Sequence, residues 1–262
     1  MKAPIKVAET WDLAYQVRDI PWHSEHPPRE LMRVLKEGWF KSFTVGVPPR
    51  RDVRPTKKVG LPRRRRARPQ KLKVLDVGCG LGSSTITLAK AGFDVIGIDI
   101  SKTAIEEARH RLREIGIKHD YNQLLNPRSA LRTVQTSFRT PKSAIRTGRI
   151  RFEVRDVFDL RPYYDKFDLV IDLGCLHCFD GKWRKAYLKE IHRVLKSDGL
   201  YWVMTFGRKA PDYGPYRYSQ NEMRELTSPL FKTLFIRNAD WSRLHQRRPS
   251  EIKSVSCLMK KL

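Results

Sequence analysis

The chain has little acid: 28 Asp and Glu stand against 53 Lys and Arg in 262 residues, a net charge of +25. It also has only four cysteines, Cys79, Cys175, Cys178 and Cys257. So few thiols in a chain this long exclude a disulfide-built secreted scaffold. Cys175-Leu-His-Cys178 has the spacing of one half of a zinc site. No second Cys-x-x-Cys and no His-x-x-x-His accompanies it, so no metal site is expected. No apolar run approaches the ~18 residues of a membrane span. The opening residues, MKAPIKVAETWDLAYQ, lack the apolar stretch of a secretory signal. A cytoplasmic protein without membrane contact is the expectation, of unknown oligomeric state.

What is present in excess is basic charge, and it is uneven. Residues 50–73 carry twelve basic residues against one acid, and residues 121–150 carry six against none. Together they hold +17 of the +25, so any nucleic-acid contact is expected through these two segments and not through the whole molecule. Residues 40–70, rich in Pro, Arg and Lys, have the composition of a linker or surface loop. Residues 117–148 stand where a short helix-to-strand loop would suffice and look inserted. The hydrophobic share of 40% is enough for a sizeable core.

From Lys71 onward, strand and helix patterns alternate. KLKVLDV (71–77), FDVIGID (93–99), RIRFEV (149–154), KFDLVID (166–172) and LYWVMTF (200–206) are short apolar runs of buried parallel strands. Helices are expected over 84–91, stopping at Gly92, and from Ser101 as a cap, with Ala104, Ile105, Ala108, Leu112 and Ile115 on one face. A further helix over 183–195 leads through the turn KSDG (196–199) into the fifth strand. FKTLFIR (231–237) and KSVSCLM (253–259) suit a closing antiparallel pair. The sum is an α/β fold, a seven-stranded mostly parallel sheet with helices on both faces. In such sheets the ligand lies beyond the carboxyl ends of the strands.

Three of those ends carry chemistry. Asp76-Val-Gly78-Cys79-Gly80-Leu-Gly82 follows the first strand, with a serine where a dinucleotide-binding loop would place its last glycine. Glycines at this spacing let the backbone approach a nucleoside without phosphates. Asp99, closing the second strand, can accept hydrogen bonds from ribose hydroxyls. Asp156, after the third, can accept from an adenine amino group, with Ile100 and Val157 as apolar faces for the ring.

DVGCGLG, IGIDIS, RDVFDL and FDLVIDLGCLHCF, in that order, resemble the class I S-adenosylmethionine-dependent methyltransferases, a Rossmann-like fold. The resemblance implies S-adenosylmethionine as cofactor. It sets Gly78, Gly80 and Gly82 at the methionine part, Asp99 at the ribose and Asp156 at the adenine. Asp76, Cys79, Ile100, Val157 and Leu173 complete the expected cofactor set. The stretch WDLAYQVRDIPWHSEHPPRELMRVL (11–35) is similar to the lead-in of the small-molecule branch that includes thiopurine and tellurite-resistance methyltransferases. There this segment folds over the cofactor, and Trp11, Tyr15 and Trp22 are the matching residues. Trp11 fits packing on the sheet nearly as well. Residues 1–39 are then a cofactor-covering segment, 40–70 a basic linker, and 71–262 the methyltransferase domain with its insertion at 117–148. After the fourth strand the thiopurine-type Asp-Arg-Gly is replaced by Asp172-Leu173-Gly174, which leaves the acceptor open among thiols, amines and carboxylates.

Methyl transfer from an activated donor needs chiefly alignment and exclusion of water, so a base is optional. Asp172 and His177 are the candidates for one. Two other readings compete. An RNA methyltransferase would use the basic segments to hold nucleic acid. Against base methylation, the Asn/Asp-Pro-Pro-aromatic motif of amino-methylating enzymes and the Pro-Cys of cytosine C5 enzymes are both absent. A non-catalytic cofactor-binding regulator would keep the motifs and lose turnover.

Overall fold

The computed structural model describes residues 5–20, 22–24, 26–40, 71–116, 148–208, 216–241 and 253–262. The basic stretches 41–70 and 117–147 lie outside these, and with them the linker, the insertion and most of the expected nucleic-acid contact.

Seven strands form one sheet: Lys73–Val77 (β1), Asp94–Asp99 (β2), Ile150–Val154 (β3), Phe167–Leu173 (β4), Leu195–Phe206 (β5), Phe231–Asp240 (β6) and Lys253–Lys261 (β7). Their spatial order is β3-β2-β1-β4-β5-β7-β6. The first five are parallel, and β7 runs antiparallel to both of its neighbours. β6 therefore runs in the direction of the first five, and the chain reverses only from β6 into β7.

Among the described residues six α-helices accompany the sheet: Ile5–Gln16 (α1), Arg29–Glu37 (α2), Ser83–Lys90 (α3), Lys102–Glu114 (α4), Gly181–Val194 (α5) and Gln220–Thr227 (α6). Alternate strand residues serve opposite faces. Val74, Val95, Leu169 and Trp202 pack with α2, α3 and α4. Leu75, Ile96, Val170 and Tyr201 pack with α5 and α6. Burial on both faces is why these strands are continuous apolar runs and not alternating ones. The expected α/β sheet with helices on both faces and an antiparallel closing strand is the one observed.

Three local features differ from expectation. Ile115 is 43% exposed, because α4 ends at Glu114 and the side chain falls beyond the last turn facing the core. The residues 196–199 are not a separate turn but an excursion within β5. Pairing steps from Leu195 opposite Phe167 to Leu200 opposite Leu169, with Asp198 left-handed at φ 63°. Ion pairs from Lys196 to Asp168 and from Lys260 to Asp198, both 2.7 Å, pin it. The closing pair is also longer than its apolar cores, since pairing runs on through Asp240 opposite Lys253.

The chain builds outward from β1 through β2 to β3 on one side, and through β4 to β5 on the other. The switch point therefore lies between β1 and β4, where a crevice forms at the carboxyl edge.

Candidate active site

A cavity of about 760 Å³ occupies that edge. Its size falls in the roughly 300–1,000 Å³ range of small-ligand sites. Residues after β1, β2 and β3 build one pole, and residues after β4, β5 and β6 build the other.

At the first pole the chain leaves β1 through Gly78 (φ 63°) and Gly80 (φ 52°), conformations that side chains disfavour. A Cβ on Gly80 would stand 2.8 Å from the Tyr15 hydroxyl, and one on Gly78 3.4 Å from the Cys175 Cβ. The bare backbone keeps this floor open. Asp99 ends β2 with Oδ2 accepting the Gly80 N–H at 2.9 Å and Oδ1 the Ser101 N–H at 3.0 Å. Burial raises its carboxyl above the usual range. Asp76 accepts from the Thr85 hydroxyl at 2.5 Å, and burial, with Asp172 and Asp99 nearby, pushes it up to about 7. Asp156 accepts the Phe158 N–H at 2.9 Å. Asp76, Gly78, Cys79, Gly80, Asp99, Ile100, Asp156 and Val157 all line the cavity.

Gly82 does not. Its left-handed backbone (φ 81°) turns toward the core, where a Cβ would meet the Phe152 ring at 2.5 Å. This glycine is needed for packing the loop onto β3 and is not among the cavity's lining residues.

At the second pole Leu173, Gly174, Cys175, His177 and Cys178 follow β4 and line the cavity. Asp172 does not reach it. This residue is fully buried, with Oδ1 accepting the Cys175 N–H at 2.7 Å and Oδ2 accepting the Leu176 N–H at 3.1 Å. Oδ2 also takes the hydroxyls of Tyr187 (2.7 Å) and Tyr201 (2.8 Å). Burial raises the carboxyl to about 6 against these donors. Expected as a candidate base, Asp172 is instead the knot that fixes the turn bearing His177. That turn is the short 3-10 helix Leu176–Cys178.

His177 is 7% exposed and stacks on Phe206, with ring centroids 4.4 Å apart and planes 9° from parallel. Its Nδ1 is buried without a hydrogen-bond partner. Burial holds the imidazole down to about 4, so it is neutral near pH 7. Cys79 and Cys175 are pushed well above the ordinary thiol range and Cys178 to about 12, all by burial. Thiols so shifted remain protonated and are poor nucleophiles.

The N-terminal segment also contributes to the lining. Trp11, Tyr15 and Trp22 line the cavity together. Trp22 donates its indole N–H to the Tyr15 hydroxyl at 3.3 Å and meets Trp11 edge-on at 5.1 Å. Asp12 anchors α1 by accepting from the Ser101 hydroxyl (2.6 Å) and the Thr103 N–H (2.8 Å) at the start of α4. Sequence reasoning missed Phe179, Trp183, Phe206, Tyr216 and Trp241, which also line the cavity. Only Phe179 belongs to a motif, as the last residue of FDLVIDLGCLHCF. For the others the available signal was position alone, since Phe206 closes the fifth strand and Trp241 directly follows the sixth.

Residues 75–203 match the family described as "Methyltransferase domain". The chain is 25% identical over 202 residues to 2-heptyl-1-hydroxyquinolin-4(1H)-one methyltransferase of Mycobacteroides abscessus, covering 74% of this chain and 76% of that protein. It is 26% identical over 223 residues to thiocyanate methyltransferase 1 of Brassica oleracea, covering 82% and 85%. Among solved structures, one from work on conversion of a disulfide bond into a thioacetal group during echinomycin biosynthesis aligns with a TM-score of 0.67 at 18% identity, covering 97% of this chain and 92% of that one. The Burkholderia thailandensis 1,6-didemethyltoxoflavin-N1-methyltransferase, with bound 1,6-didemethyltoxoflavin and S-adenosylhomocysteine, aligns with a TM-score of 0.52 at 19% identity, covering 73% and 72%. At these identities the structural likeness is one of fold.

Proposed function

Because this chain is a class I S-adenosylmethionine-dependent methyltransferase, we propose that it methylates a small-molecule acceptor within the covered cavity. The observation that carries the reading is the division of that cavity. One pole offers acids and bare glycine backbone, the other offers aromatic walls, and α1 with Trp22 roofs the cavity. The relatives named for hydroxyquinolone and thiocyanate methylation support a small-molecule acceptor.

The residues at the first pole fit the cofactor. Gly78 and Gly80 clear a cradle that a Cβ would fill. Each oxygen of Asp99 accepts one backbone N–H and has a lone pair left for a ribose hydroxyl. Asp156 would take the adenine amino group, with Ile100 and Val157 against the ring. Asp76 and Cys79, joined by Leu173 from the second pole, would line the methionine end, and Trp22 would close over it.

S-adenosylmethionine supplies, when bound, a methyl group already activated by its sulfonium. The chain's own work is to align an acceptor and to keep water out. Trp11, Tyr15 and Trp22 would exclude water from above, held down by Asp12 on α4. Asp172 would set the turn that presents His177, a positioning role and not that of a base. His177, which burial keeps neutral near pH 7, would receive any proton the acceptor loses.

The test is a tritiated methyl-donor assay run in parallel on thiols, amines, carboxylates, hydroxylated aromatics and RNA. Label on a small acceptor supports the reading. Label on RNA alone refutes it in favour of nucleic-acid methylation, and tight cofactor binding with no label on any acceptor would mark a non-catalytic regulator.

A further inference from the structure

Resting on the reading above, we propose that the pole formed by His177, Phe206 and Trp241 takes a flat, non-anionic aromatic acceptor that presents a proton-bearing heteroatom to the His177 imidazole. Three rings from three strand ends make this pole. His177 stacks on Phe206, Trp241 lies 5.8 Å from Phe206 and 6.3 Å from His177, and all three are at least nine-tenths buried. Gly174 brings the backbone close beneath them. A Cβ there would stand 3.1 Å from His177 Cε1 and 3.3 Å from the Trp241 ring. Walls of this kind favour a planar ring, through offset or edge contacts.

Charge narrows the class. Among the described residues lining the cavity, Asp76, Asp99, Asp156 and Asp180 are acidic and none is Lys or Arg. This holds in a chain whose net charge is +25. An anionic acceptor would lose its hydration here with no described cation to offset the loss. The basic residues that dominate the composition therefore do not act in the described part of the site.

His177 supplies the polar contact. Its Nδ1 is sealed in the wall without a partner, an arrangement that costs stability. Nε2, on the edge over Gly174, has no hydrogen bond from the described residues and is the nitrogen left to the cavity. As the acceptor's heteroatom forms its bond to the methyl carbon, the carbon–sulfur bond of the donor breaks and its electron pair stays on sulfur. The heteroatom's proton passes to Nε2 and then to solvent. Positive charge lost at sulfur reappears on the imidazole, so the four aspartates face the same total charge throughout. For a hydroxyl acceptor, the freshly methylated and still protonated oxygen is a far stronger acid than imidazolium, so even a weakly basic histidine can take its proton.

Calorimetric titrations with S-adenosylhomocysteine present would test this with three flat probes: 2-naphthol, 2-methoxynaphthalene and 2-naphthoate. We expect 2-naphthol to bind tightest, the naphthoate to bind at least roughly tenfold more weakly, and the methoxy compound to fall between them. The variant His177→Leu should remove the advantage of 2-naphthol over its methyl ether, and Trp241→Ala should weaken both by about tenfold. S-adenosylhomocysteine affinity should stay within about twofold of wild type in either variant. Naphthoate binding as tightly as 2-naphthol overturns the proposal, and this series needs only the wild-type chain. An unchanged preference in His177→Leu overturns the role of that residue. Failure of S-adenosylhomocysteine itself to bind would strike the underlying reading and not this one.

Discussion

Asp99 and His177 show how one side chain can carry both binding and stability. Replacing Asp99 by Ala would remove a charged acceptor worth ~1.5–3 kcal/mol. The expected result is a loss of at least about tenfold in S-adenosylhomocysteine affinity by calorimetry, and Asp99→Asn should retain part of it. His177 titrates at about 4 in the folded chain against 6.5 as its ordinary value. Between those values the unfolded chain binds more protons, so this residue's contribution is full above the higher value and is lost as pH falls toward the lower. Relative to His177→Phe, the wild type should therefore gain about 3 kcal/mol between pH 4 and pH 6.5, read from urea midpoints across that range. Most first-pole residues were legible one by one, because an acid or glycine at a strand end has few structural uses. Two were not. Gly82 shares the spacing of Gly78 and Gly80, but its purpose is set by Phe152, far away in sequence. Asp172 was visible as an acid after a strand, whereas the tyrosines that engage it lie 15 and 29 residues further on.

The elements were easier to foresee than their joins. Strands buried on both faces announce themselves as apolar runs, and Ser101 marked its helix by capping it, accepting the Ala104 N–H at 3.0 Å. The excursion at 196–199 was not foreseeable from its residues, since Lys-Ser-Asp-Gly suits a turn and a bulge equally. Ion pairs to β4 and β7 decide between them, and these need the assembled sheet. The packing of α1 is a similar case. Its aromatic residues hinted at a cover, but its attachment depends on one carboxylate meeting the start of α4. Asp12→Ala should free α1 while leaving the sheet intact. The expected signs are faster proteolysis within the first twenty or so residues, weaker S-adenosylhomocysteine binding by roughly tenfold, and a melting temperature changed by only about 2–4 °C. A loss of the whole fold would mean that α1 is part of the core and not a cover.

At the scale of the molecule, charge and chemistry are separated. The described cavity is acidic, and the basic charge concentrates in stretches of sequence away from the motifs. Replacing Arg63, Arg64, Arg65 and Arg66 by Ser should weaken retention on RNA and flatten its salt dependence, because fewer counterions are released. Methylation of a small acceptor should stay within a few-fold of wild type; its collapse together with RNA binding would show that those arginines serve the substrate. The sheet order carries a different consequence. Trp241 stands at the end of β6, and β6 reaches the rest of the sheet only through β7. The acceptor pole is thus complete only while the terminal hairpin is docked on β5. A compound held against Trp241 must then oppose every local opening that undocks the hairpin. Backbone amides of β6 and β7 should exchange with deuterium more slowly once such a compound is bound, while those of β2 and β3 keep their pace.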